Sequence, residues 1–130
     1  MKKAKTLPKV KKDLQIVFNA WIRLRDHGKP CISCGQVKDN MQAGHFYPTG
    51  GYDGLRFDPD NCHLECQRCN LFDDSHLIGY AENLPERIGI ERYNALKLNA
   101  KIYKSIGQKF SRVELMEAIE FYKKAIKDFS

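Results

Sequence analysis

The stretch that decides the fold reads Cys31-Ile32-Ser33-Cys34, then Ala43-Gly44-His45-Phe46, then Asn61-Cys62-His63-Leu64-Glu65-Cys66-Gln67-Arg68-Cys69-Asn70. Two Cys-x-x-Cys pairs bracket it, and each brings two sulfurs close enough in sequence to chelate one ion. Four thiolates in a tetrahedron are a preferred structural zinc site, and two such pairs are a far more specific signal than one. Cys31, Cys34, Cys66 and Cys69 are therefore assigned to a structural Zn2+. Zinc closed by four sulfurs has no open position for chemistry. It would staple the chain, and the polar residues between its halves would form the working site.

The bulk properties agree with a small stapled domain. The chain has 130 residues, enough for one domain, and 42% of them are hydrophobic, enough for a modest core that gains from a metal. The formal charge is +6, and Lys2, Lys3, Lys5, Lys9, Lys11 and Lys12 concentrate it at the N-terminus. Residues 1–12 read as a basic flexible arm, suited to nucleic acid or simply solubilising, ahead of a single domain at 13–130. Of five cysteines, Cys62 is left over and reads as a small buried apolar residue. No apolar run follows the lysines as in a signal peptide, and none is long enough to span a membrane. Free thiols for zinc suit a reducing cytoplasm.

Asp13 reads as a helix N-cap, followed by Leu14, Val17, Phe18, Trp21 and Leu24 at helical spacing. Arg23 and Arg25 fall on the polar side, and His27-Gly28 ahead of Pro30 ends the helix. Gly35 permits the tight turn of a zinc knuckle. Residues 43–47 and 61–64 read as two short strands joined by a long connection with turns at 48–54 and 58–60. A helix is expected to begin between Gln67 and Asn70. Leu77, Tyr80, Ala81, Leu84 and Ile88 continue at helical spacing, with Pro85 a potential break and Gly89 a stop. Residues 90–98 predict a short helix with Tyr93 and Leu96 inward; residues 99–110 fit a loop or a short strand. Ser111-Arg112-Val113-Glu114 matches a capping box. The stripe Leu115, Ile119, Tyr122, Ile126 and Phe129 then packs on the domain or forms a homodimer seam.

Gly44-His45-Phe46, Pro48, Gly50-Gly51, Asn61 and Cys66-x-x-Cys69-Asn70 resemble the HNH nucleases, the ββα-metal class. With Ala43, Leu55-Arg56-Phe57-Asp58 and Asn61-Cys62-His63, the wording is closer still to the NinG (Rap) recombination endonucleases of lambdoid phages. The resemblance is densest from residue 31 to 89 and continues more loosely into the helices on either side. It implies an α+β fold with a small zinc-stapled ββα-metal core and flanking α-helices. It further implies a DNA endonuclease dependent on Mg2+ or Mn2+ and acting on branched recombination intermediates, Holliday junctions or D-loops, in the host cytoplasm.

Carried over residue by residue, His45 takes the general-base position. A neutral imidazole can accept the proton of an attacking water near neutrality. Asn61 matches the asparagine that steadies the loop or orients the base. Asn70 matches the helix position that supplies a metal ligand. In that class Asp commonly precedes the base, whereas here it is Gly44, which has no side-chain ligand. His63, two residues beyond Asn61 on a strand, is a candidate catalytic or metal-binding residue, or else hydrogen-bonds inside the fold. Asp73 and Asp74 are candidate compensating ligands, Asp74 foremost, or plain carboxylates near a helix N-terminus. His76 departs from the NinG-like pattern. Arg56 and Arg68 are candidate phosphate contacts along with Lys9, Lys11 and Lys12. Tyr47 and Tyr52 could stack on an unpaired base or pack in the fold. The rival from another class is a catalytically inert zinc module that binds nucleic acid or a protein partner; it would need the four cysteines but not His45.

Overall fold

The computed structural model describes residues 5–72, 76–106 and 110–129. Helix α1 (Leu7–Arg25) comes first, then strand β1 (Met41–His45) and strand β2 (Cys62–Cys66). A single wide, π-type turn over Arg68–Phe72 follows, then helices α2 (His76–Ile88), α3 (Ile90–Ile106) and α4 (Arg112–Phe129). The class is α+β, with a two-stranded sheet.

Helix α1 begins earlier than its sequence suggests. The expected cap, Asp13, lies inside it, and residues 7–12 of the expected flexible arm are helical. Thr6 is the cap, with its hydroxyl accepting from the Lys9 amide, and Pro8 falls in the first turn where its missing N–H costs nothing. Val10 extends the apolar stripe one turn upstream, so Val10, Leu14, Phe18 and Ile22 are the buried positions. Residues 1–4 of the arm lie outside the described residues.

The strands pair antiparallel, with Met41 opposite Cys66, Gly44 opposite His63 and His45 opposite Cys62. Strand β1 sits two residues earlier than expected, because the ladder ends beyond His45. There Phe46 donates to the Asn61 carbonyl, and the Tyr47 amide is taken by the Asn61 side chain. Strand β2 is buried throughout. Alternation sends Cys62 into the cluster with Val10, Leu14, Phe18, Ile22, Leu115 and Tyr122. It sends His63 and Glu65 the other way, where they meet Tyr80 and His76.

A second cluster joins Ile32 and Leu55 to Tyr80, Leu84 and Ile88 of α2 and to Leu96 and Ala100 of α3. Helix α2 runs through Pro85 instead of breaking, since the burial of Tyr80, Leu84 and Ile88 outweighs one lost amide bond near its end. Gly89, at φ +89°, stops it. Helix α3 continues to Ile106, beyond the expected end at residue 98, since Ala100 is buried one turn after Leu96. On α4, Ser111 caps through the Glu114 amide as expected. Leu115 and Tyr122 are buried against α1, and Phe129 is exposed.

Helix α2 lies tight against the first Cys-x-x-Cys. Asn83 Nδ2 donates to the Ile32 carbonyl at 2.8 Å and Arg87 donates to the Pro30 carbonyl at 3.2 Å. A Cβ at Gly79 would come within 2.0 Å of the Ser33 carbonyl oxygen, so only glycine allows this approach. Gly79→Ala is expected to push α2 off the knuckle and destabilise the protein by about 1–3 kcal/mol, the usual cost of overpacking. A thermal melt checks this; an unchanged melting temperature would count against the close approach.

Candidate metal centre and the residues around Gly44

The Sγ atoms of Cys31, Cys34, Cys66 and Cys69 all lie within 4.8 Å of one another. Cys34 Sγ and Cys66 Sγ are 3.8 Å apart, which is about the edge of a tetrahedron with Zn–S bonds of about 2.3 Å. The Cys34 and Cys66 amides point at Cys31 Sγ, at 3.4 and 3.3 Å, and N–H groups so aimed favour a thiolate. Gly35, at φ +76°, lets the knuckle turn back. Its amide donates to the Cys31 carbonyl, and Cys31 donates to Gln36. This donor set fits a structural zinc. Cys62 stands apart from it, fully buried, and burial pushes its thiol pKa up.

The hairpin is anchored by residues that no motif marks. Buried Asp26 accepts the Leu64 amide at 3.1 Å, and Arg25 donates to Asp26 and to the carbonyls of Pro59 and Cys62. Burial works against the Asp26 charge, but the Arg25 guanidinium and the Leu64 amide outweigh it and hold the pKa below the usual value. In the sequence Arg25 falls on the polar side of the helix; the carbonyls of Pro59 and Cys62 draw it in.

His45 ends β1, partly buried, with Nε2 2.9 Å from the Arg56 carbonyl. A carbonyl only accepts, so Nε2 carries the proton and Nδ1 keeps a bare lone pair. Burial, with Arg56 nearby, lowers the pKa below 6.5, so the ring is neutral at pH 7. Asn61 is fully buried and satisfied: it accepts the Tyr47 amide and donates to the carbonyls of Tyr47 and Leu55, which steadies the connection between the strands. His63 is 2% exposed. Its Nδ1 lies 3.3 Å from the Tyr80 hydroxyl, which itself donates to the Gly44 carbonyl at 2.7 Å. His63 therefore bonds inside the fold.

Across the hairpin from His63, Gly44 is buried. Asn70 Nδ2 donates to Gln42 Oε1 at 2.8 Å, and its Oδ1 turns toward Gly44. Glu65 is fully buried, with Oε2 held by Ser33 Oγ and by His76 Nδ1. Neither Glu65 nor His76 was a sequence candidate; the available signal was a carboxylate one residue before a cysteine ligand in a buried strand. Asp74 lies outside the described residues, as does Asp73. His45 and Asn70 are partly buried and His63 is buried. A cavity of about 590 Å³ lies elsewhere, between α1 and α4, and none of the three lines it.

Among the basic candidates, Lys11 is paired with Asp53 at 2.7 Å, Lys9 with Asp13 at 2.8 Å, and Arg56 donates to Gln15 at 2.6 Å. Lys12 and Arg68 are exposed. Tyr47 and Tyr52 pack on one another, with ring centroids 4.9 Å apart, beside Phe46. Among the described residues no helix is long and apolar enough to cross a membrane.

A family described as Bacteriophage Lambda NinG protein matches the chain over residues 1–130. The protein is similar to protein ninG of Salmonella phage P22, 40% identical over 91 residues, which are 69% of this chain and 45% of that one. Protein ninG of Escherichia phage 933W is 39% identical over 68% of this chain and 44% of its own length. Protein ninG of Escherichia phage lambda is 38% identical over the same shares. The matched stretch is thus less than half the length of these curated relatives. No solved structure matches.

Two outcomes follow from this geometry. Cys34→Ser or Cys66→Ser is expected to unfold the protein, since structural zinc can contribute on the order of 10 kcal/mol to folding. Protein with far less than one zinc per chain and an undiminished melting transition would contradict this. The second concerns His63, whose pKa burial pushes down to about 3, helped by Arg25. Between pH 6.5 and 3 the unfolded chain takes up a proton that the folded one refuses, so stability falls as pH falls across that window, by a few kcal/mol in all. His63→Gln removes this term, and its urea midpoint should lose less than the wild type's over the same range. Parallel acid losses in the two proteins would show that His63 is not the cause.

Proposed function

The chain belongs to the NinG family of phage proteins, and from that premise we propose that it is a metal-dependent DNA endonuclease that hydrolyses phosphodiester bonds in branched recombination intermediates. The observation that carries the proposal is the state of His45. It is neutral and pinned through Nε2 by the Arg56 carbonyl, so a bare Nδ1 is left to take a proton. The four-cysteine staple does not need it. In this reading the hairpin and the helical turn after Cys69 are the ββα core, and Asn61 steadies the connection that bears the Arg56 carbonyl.

Hydrolysis needs a deprotonated water and relief of charge on the phosphate. His45 would accept the water's proton. A bound Mg2+ or Mn2+ would supply charge neutralisation at the phosphate and the leaving oxygen. Asn70 and the groups around Gly44 are the residues to hold such an ion, since an amide carbonyl is a suitable hard donor. His63 contributes by packing, through Tyr80, against the Gly44 backbone. Lys12 and Arg68 are exposed and suit contact with the phosphate backbone. Branch preference rests on the family resemblance, as does the place of action, the host cytoplasm.

His45→Ala is expected to lower cleavage of a four-way junction about a hundredfold to ten-thousandfold while zinc content and DNA binding stay near wild type. The wild-type rate should need added Mg2+ or Mn2+. It should rise with pH as His45 loses its proton, with a midpoint below 6.5 because burial favours the neutral ring. Cleavage by His45→Ala within a few fold of wild type would sink the assignment. Binding of junction DNA without cutting in any divalent ion would move the protein to the inert zinc-module reading.

A further inference from the structure

The Glu65 carboxylate is held by one oxygen and bare at the other. Ser33 Oγ and His76 Nδ1 both engage Oε2, the latter at 2.7 Å. Oε1 is buried and has no hydrogen-bond partner. A buried carboxylate oxygen with nothing donating to it is costly, and native proteins rarely leave one so without a use. Clamping Oε2 from two sides fixes where Oε1 points.

It points at the space above Gly44. A Cβ built there would sit 2.2 Å from Glu65 Oε1 and 2.9 Å from Glu65 Cβ, so the carboxylate fills the place a side chain at 44 would take. Asn70 Oδ1 lies 3.1 Å from the same point. The Asn70 amide is oriented by its donation to Gln42 through Nδ2, which turns Oδ1 toward Gly44. Two oxygens, one from β2 and one from the turn after Cys69, thus converge where the hairpin has no side chain. Neither is sulfur, and the four cysteines have already gathered the soft donors.

We propose that Glu65 Oε1 and Asn70 Oδ1, with Gly44 as the cleared floor, form a binding site for one hard divalent cation, Mg2+ or Mn2+, distinct from the four-cysteine centre. Hard cations take carboxylate and carbonyl oxygens and keep several waters, so two protein oxygens suffice. Ser33 and His76 are positioning residues that hold the carboxylate. Glu65 replaces, from across the hairpin, the acidic group that residue 44 lacks. Catalytic use of the ion rests on the nuclease reading; the binding itself does not.

The test is Mn2+ binding to the full, zinc-loaded chain, followed by electron paramagnetic resonance, for wild type, Glu65→Gln and Asn70→Ala. Wild type is expected to bind one Mn2+, and Glu65→Gln to bind at least tenfold more weakly with zinc content and melting temperature retained. Should Glu65→Gln lose zinc or melt early, Asn70→Ala reads the same site without disturbing the buried carboxylate. Its Mn2+ affinity should also fall. Wild-type affinity in a folded Glu65→Gln, or in Asn70→Ala where Glu65→Gln does not fold, overturns the site, as does wild type that binds no Mn2+ with or without junction DNA. A parallel cleavage assay separates the two ideas. Glu65-dependent Mn2+ binding in a protein that cuts nothing leaves the ion site standing and removes the nuclease.

Discussion

Four sulfurs from positions 31, 34, 66 and 69 lie within 4.8 Å of one another, and that closeness dictates where the hairpin goes. Cys66 ends β2 and pairs with Met41, so the strand cannot slide without pulling a sulfur out of the cluster. Fixing Cys31 and Cys34 beside it also fixes Ser33, whose hydroxyl reaches Glu65, and Ile32, whose amide meets the Leu64 carbonyl. Helix α2 then packs on a knuckle already set in place, with Gly79 against the Ser33 carbonyl. A domain this small gains from such a constraint, because little apolar surface is available to hold two short strands on its own.

Helix α1 completes what sulfur begins. Asp26 and Arg25 take up backbone groups of Pro59, Cys62 and Leu64, so β2 is gripped along the edge that β1 leaves open. Its side chains are buried throughout. The polar side chains buried there are mostly matched: Asn61 to loop backbone, His63 to Tyr80, Asp26 to Leu64 and Arg25. Glu65 keeps one oxygen unmatched, which sets it apart from the others.

The cysteines were legible because ligand spacing is local and sulfur chemistry is narrow. The same holds for Gly35 and Gly89, whose positive φ angles suit glycine, and for the buried Cys62. Strand limits were less legible: the end of β1 depends on Asn61 replacing a ladder partner, a contact between distant positions. The start of α1 was obscured by its lysines, which read as a solvated tail, although Thr6, Pro8 and Val10 together carry a helix start. Around the candidate site, His45 and Asn70 stood out by type and place. Glu65, His76, Asp26 and Gly79 did not, because each acts through a neighbour that only the fold supplies.

The early start of α1 changes the thermodynamics of its lysines. A disordered tail must be ordered when it meets a polyanion, and that entropy is subtracted from the attraction. Lys9 and Lys12 stand on a helix whose far end is locked to β2 through Arg25 and Asp26, so their backbone is already fixed. In any contact with a polyanion the remaining costs would be side-chain freedom and, for Lys9, surrender of Asp13, which Lys9 and Lys5 hold at a pKa of about 2. At about 1.5 Å per residue, the helix also keeps these charges at a set span from the hairpin, so it works as a ruler where a tail would work as a tether.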